Sequence, residues 1–146
     1  MTELEPLSPE LIRRYLDADG SGYEVDEDGD IVVEYDPDPD SGANLTVYLS
    51  ITEREWYVIL IVDERTFPQS DRERLTALCN SWNTDNMYPM ASVVTSSDDP
   101  DRLDILLEYT SVARFGISQE QLKYTTDEVV WAGSDFWDWA HTEHGL

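Results

Sequence analysis

The stretch Leu45-Thr46-Val47-Tyr48-Leu49-Ser50-Ile51-Thr52, followed across Glu53-Arg54-Glu55 by Trp56-Tyr57-Val58-Ile59-Leu60-Ile61-Val62, sets the fold class. Successive side chains of a strand point to opposite faces, so the strict alternation of the first half reads as a half-buried strand. The second half is apolar on both faces and belongs in the middle of a sheet. A connection this short joins antiparallel neighbours.

Upstream, residues 23–26 and 31–35 form a second hairpin around Asp28-Gly29, where Asp-Gly supplies the positive φ of a tight turn. The Asp36-Pro37-Asp38-Pro39-Asp40-Ser41-Gly42 run is a loop, because neither proline suits a central strand. Ser8-Pro9-Glu10 starts a helix with a hydroxyl cap, an N-terminal proline and an early acid. Leu7, Leu11, Tyr15 and Leu16 follow at helical spacing, and Asp17-Ala18-Asp19-Gly20 ends it.

Downstream, Ser70-Asp71-Arg72-Glu73 reads as a capping box opening a helix with Leu75, Leu78, Cys79 and Trp82 on one face. Residues 92–95 and 103–109 are two more strands, hinged at Asp98-Asp99-Pro100-Asp101. Ser118-Gln119-Glu120-Gln121 opens a last helix, whose buried stripe is Leu122, Val129, Val130, Gly133, Phe136, Trp137 and Ala140. The predicted order is α-β-β-β-β-α-β-β-α, one α+β domain over residues 1–146 with helices packed on an antiparallel sheet.

A chain of 146 residues, 40% hydrophobic with five Trp and eight Tyr, can build a core. Its 32 acidic residues against nine basic ones give a net charge of -23, which repels phosphates and anionic headgroups. That argues against nucleic-acid and membrane-surface partners. Cys79 is alone, so no internal disulfide forms. Met1-Thr2-Glu3-Leu4-Glu5-Pro6 does not read as a secretory leader, and the apolar run at 56–62 is too short to span a bilayer. The expectation is a cytoplasmic protein.

Candidate chemistry is sparse. Asp17, Asp19, Ser21 and Gly22 match the first, third, fifth and sixth positions of a calcium loop, but Glu24 and Asp28 miss the eighth and twelfth. A divalent-ion protein using these acidic loops is therefore the alternative reading, with specific binding disfavoured. His141 and His144 are the only histidines and lie in an expected exposed tail. Cys79 falls on an apolar helix face, where an inert thiol is the default. Asn80 and Asn83, near the end of the same helix, are expected to tie down backbone at the turn into the next strand. Trp137 and Trp139 are the partner-binding candidates; they lie two residues apart, so one of them, Trp139, is expected partly exposed outside the buried stripe.

The segment Cys79-Asn80-Ser81-Trp82-Asn83, then Pro89 and a short strand, resembles the YbjN family of bacterial sensory transduction regulators. The hairpin Tyr23-Glu24-Val25-Asp26-Glu27-Asp28-Gly29-Asp30, the Gly116-Ile117 turn and the helix end Phe136-Trp137-Asp138-Trp139 fit the same resemblance. It covers nearly the whole chain. It implies a fold like the type III secretion chaperones, a curved antiparallel sheet flanked by helices. It also implies no enzymatic activity and no cofactor, and it carries over no catalytic residue; from the residues themselves, no metal site is expected. The function that follows is a non-enzymatic, chaperone-like or adaptor module binding a protein client or regulator, with a homodimer as one arrangement.

Overall fold

A computed structural model describes residues 3–146; Met1 and Thr2, where the leader reading begins, lie outside the described residues. Helix α1, Pro9–Asp19, is capped by the Ser8 hydroxyl, which accepts the Leu11 N–H, and is closed by Gly20 at φ 74°. Strands β1 (Glu24–Val25), β2 (Ile31–Glu34), β3 (Leu45–Ile51) and β4 (Trp56–Asp63) follow as an antiparallel meander. Then come β5 (Phe67–Pro68), a 3₁₀ turn at Gln69–Asp71, and α2 (Arg72–Asp85). Strands β6 (Met90–Thr95) and β7 (Arg102–Val112) and helix α3 (Gln119–His144) complete the chain.

The sheet is curved, unclosed and wholly antiparallel. β4 pairs with β3 on one side and β7 on the other, the central place its two apolar faces require. β7 has β4 and then β5 along one edge and β6 along the other, since β5 and β6 both pair with Leu103. Helix α2 carries the chain past β7, so β6 forms the far edge.

Two sequence expectations are corrected here. The short strand β5 was not expected, because two residues carry no alternation to read; only their pairing with Leu103 and Arg102 defines it. Ser70 caps nothing: α2 begins at Arg72 behind Asp71, whose φ of -89° and ψ of -1° are helical and whose side chain makes no cap bond. A capping residue needs extended backbone. The tight 3₁₀ turn leaving β5 denies it that geometry. At Ser118 the backbone is extended at ψ 155°, and the box with Gln121 forms in full.

All three helices lie on one face. Beneath them Val47, Leu49, Tyr57, Ile59, Ile61, Leu103, Ile105 and Leu107 meet Leu75 and Leu78 of α2 and Leu122, Val129 and Phe136 of α3 in one buried cluster. Gly133 lets α3 press onto the sheet: a Cβ there would stand 2.7 Å from Ile61 Cδ1. One buried polar link crosses between the layers. Thr126 Oγ1 spends its proton on the Leu122 carbonyl at 2.7 Å, so Tyr57 Oη donates to it across 2.7 Å.

The charge has a thermodynamic consequence. Burial first, then neighbouring aspartates, raises Asp30, Asp104 and Asp138 above the usual carboxylate value, while the Asp40 backbone N–H lowers Asp38. A raised carboxyl favours the fold below its unfolded pKa and loses that contribution as pH rises through its folded pKa. Three raised groups against one lowered, on a background of -23, predict a melting temperature that climbs as pH falls from neutral toward the ordinary carboxylate range. Added sodium chloride should raise it too, by screening self-repulsion. Scanning calorimetry over pH and salt checks both, and a melting temperature flat in both would show the acids to be harmlessly dispersed.

Candidate functional site

The segment that carries the sequence resemblance folds into a clamp between α2 and β6. Trp82, buried, donates its indole N–H to the Pro89 carbonyl at 2.9 Å. Asn83 Nδ2 donates to the Ala91 carbonyl at 2.9 Å, and Ala91 N–H donates to Asn83 Oδ1 at 2.8 Å. One side-chain amide thus serves both backbone groups of Ala91 as a neighbouring strand would, covering the outer edge of β6. Asn80 does not share that task. It is exposed, and its carbonyl accepts from Thr84 Oγ1 at 2.8 Å. Cys79 is buried and its thiol is pushed up to about 11 by desolvation, so no reactive thiolate is presented.

The end of α3 has the expected arrangement of burial, with Trp137 inside and Trp139 partly exposed, but neither ring is free to act as a partner anchor. Trp137 is only 1% exposed, with the Arg65 guanidinium 4.9 Å from its ring centroid, and it cannot meet a partner in this fold. Trp139 is half-buried, 5.5 Å from the Trp82 ring and 5.8 Å from Phe136. The two rings do leave the helix in different directions, but α3 here lies between the sheet and α2, which cover both. The histidines are exposed, as expected, but they belong to the last turn of α3, which continues through His144, rather than to a tail. His141 Nδ1 pairs with the Leu146 carbonyl, and the His144 ring packs 4.7 Å from Trp139.

The calcium reading of residues 17–28 is not supported. Asp17 and Asp19 belong to the last turn of α1, and Asp19 is held by Lys123 and Ser21. Asp26, Asp28 and Asp30 do bring ligand atoms within 4.8 Å of one another. Asp26 Oδ1, however, already accepts the backbone N–H groups of Asp28 and Asp30, which is what shapes the turn.

The surface that stands out is a groove of about 650 Å³ between the end of α1, Tyr35 beyond β2, and the outward side of α3. Its walls are aromatic: Tyr15, Tyr35, Tyr124 and Trp131. Trp131 is 74% exposed and Tyr124 69%. Its floor is a network around Asp127, which accepts from Tyr15 Oη at 2.5 Å and from Lys123 Nζ at 2.8 Å. Lys123, the chain's only lysine, also reaches Asp19 at 3.3 Å and sits 5.6 Å from the centroid of the Tyr15 ring.

Burial first, and then the Asp127 hydrogen bond, holds the Tyr15 phenol far above its ordinary pKa; burial and the charges of Asp127 and Asp19 raise Tyr35 as well. Both phenols therefore stay protonated and act as donors and apolar walls rather than as proton carriers. An aromatic groove with fixed carboxylates is suited to holding an apolar surface.

Tyr124 and Trp131 were absent from the sequence-derived site. A signal for them was present: each stands two residues beyond a buried position, Leu122 or Val129, about 200° round a helix of ~3.6 residues per turn. The same two-residue argument was spent on Trp137 and Trp139, where a second helix covers the far side.

Three comparisons bear on these features. A family model described as "YbjN: Putative bacterial sensory transduction regulator" matches residues 8–142. Among solved structures, the chain is similar to the "Crystal structure of YbjN, a putative transcription regulator from E. coli", with a TM-score of 0.78 at 12% identity, over 97% of this chain and 96% of that one. At that identity the likeness speaks to the fold alone. No curated protein matches the chain in sequence. Among the described residues, no helix is long and apolar enough to cross a membrane.

Proposed function

Because the chain belongs to the YbjN family, described as bacterial sensory transduction regulators, we propose that it is a non-enzymatic, chaperone-like or adaptor module that binds another protein in sensory or stress regulation. The observation that carries this reading is Trp131, exposed beside Tyr124 on the outward side of α3. A large apolar ring standing in water is unfavourable until something covers it, and tryptophan is enriched among the anchors of protein interfaces. The contact is assigned to Trp131, Tyr124 and Tyr35, with the exposed part of Trp139 outside it. A lone buried thiol and the acidic surface fit a cytoplasmic setting. A second copy of the chain is the less favoured occupant, since each copy brings a charge of -23.

Trp131→Ala is expected to leave stability within about 0.5 kcal/mol of the parent, because the ring packs on little. It should weaken partner binding by about 2 kcal/mol, roughly thirtyfold. Wild type and variant used side by side as bait in host lysate, with quantitative mass spectrometry, measure this. A protein retained by the first and depleted from the second supports the groove. An identical set retained by both, with unchanged melting, removes it.

A further inference from the structure

Among the described residues, the face of the sheet opposite the helices carries no other element. Along β4, Tyr57, Ile59 and Ile61 enter the core, while Val58, Leu60 and Val62 point the other way and are half-buried. The register places Leu60 beside Tyr48 of β3, and Val62 beside Leu106 of β7. These four side chains floor a concavity of about 380 Å³.

The rim of this concavity is mostly acidic. Asp28 and Asp30 border it from the β1–β2 turn, and Asp98 and Asp104 from the β6–β7 side; among the described residues no Lys or Arg lines it directly, although Arg65 pairs with Asp63 and Arg102 holds Thr66 at its border. Asp104 Oδ1 is buried without a close hydrogen-bond partner. Burial raises Asp104 most, the Ser96 hydroxyl beside the carboxyl partly offsets this, and the Asp98 and Asp63 charges raise it further; Asp30 is raised by burial and then by Asp26 and Asp28. Crowded carboxylates around an apolar floor gain most from an arriving cation.

We propose that this open face is a docking surface for a basic amphipathic helix of a partner protein, its apolar side on Leu60, Val62 and Leu106 and its lysines or arginines on the Asp98–Asp104 and Asp28–Asp30 rims. Inside the sheet the strands already pair with one another, so the face offers side chains but no free backbone. The occupant must then satisfy its own backbone, as a helix does. A helix is ~10 Å across with its side chains and strands lie ~4.8 Å apart, so it covers two to three strands, here β3, β4 and β7. A second copy would bring an equally acidic rim against this one. The surface is separate from the Trp131 groove, which lies on the helical side, and the inference stands or falls apart from it.

The test uses the full chain with labelled methyl groups. The probe is a fluorescent leucine-lysine peptide of about 14 residues, with leucines on one helical side. The control has the same composition shuffled so that no side is apolar. The amphipathic peptide is expected to bind at least tenfold more tightly than the shuffled one, to weaken with added salt, and to shift the methyls of Leu60, Val62 and Leu106. Asp104→Asn, and independently Asp98→Asn in the exposed turn, should each weaken binding severalfold without lowering the melting temperature. Equal binding of both peptides, no binding, or shifts confined to α3 would overturn the proposal. So would methyl shifts that follow the concentration of the chain alone, which would make the occupant a second copy.

Discussion

Phe136→Ala should lower the free energy of unfolding by about 3–5 kcal/mol, the largest single-residue effect expected here. Phe136 has no exposed surface and sits where α3 meets both the sheet and α2. Its ring makes edge contacts with Trp82 at 5.2 Å and Trp137 at 5.2 Å, and a tilted one with Trp139 at 5.8 Å. Truncation removes the transfer energy of the ring and opens a cavity walled by three large indoles, two of which, Trp82 and Trp139, pack on each other. Chemical denaturation followed by tryptophan fluorescence reads the effect directly, since three of the five tryptophans line the hole. Phe136→Leu should recover much of the loss. A shift below about 1 kcal/mol for the alanine variant would mean that the end of α3 is not docked as described.

Asn83→Ala should be the most damaging polar substitution. It strips partners from both Ala91 N–H and Ala91 C=O, and each backbone group left unpaired costs about 1–3 kcal/mol. Water reaching the edge of β6 would recover part of this. It would also uncover a sheet edge, so the variant is expected to self-associate where the parent does not. Asn83→Asp should fare no better: its carboxylate can still accept from Ala91 N–H, but it faces the Ala91 carbonyl with no donor. Unfolding midpoints and light scattering on both variants test the clamp. An unchanged midpoint and unchanged size for Asn83→Ala would reduce the asparagine to a surface residue.

Local pattern carried most of the architecture. The alternation at 45–51 and the apolar block at 56–62 fixed two neighbouring strands and put the second in the centre of the sheet. Ser8 and Ser118 announced their helices because both stand in extended backbone immediately before a helical run, where a hydroxyl can reach the third N–H. Ser70 carried the same letters and failed, because the pairing of Phe67 and Pro68 with β7 bends the chain into a 3₁₀ turn there. Capping chemistry is written in sequence; the backbone angle that lets it act is imposed by what the preceding residues touch.

The surfaces were less legible, and for one reason. Composition alone indicated a folded polyanion, and its charge is the basis for expecting little attraction to phosphates or anionic lipids. Which aromatic rings remain on the outside was decided only by tertiary structure. Trp131 and Trp139 have similar local surroundings in an acid-rich helix, but α2 covers Trp139, whereas Trp131 stays 74% exposed. The open face of the sheet was hidden in the same way. Residues 56–62 announce that both faces of β4 are apolar, but not that all three helices gather on one of them. Helical and strand periodicity are properties of a few consecutive residues, so sequence states them directly. Exposure depends on which distant element arrives to cover a face, and that information is shared among segments as far apart as α1, β4 and α3.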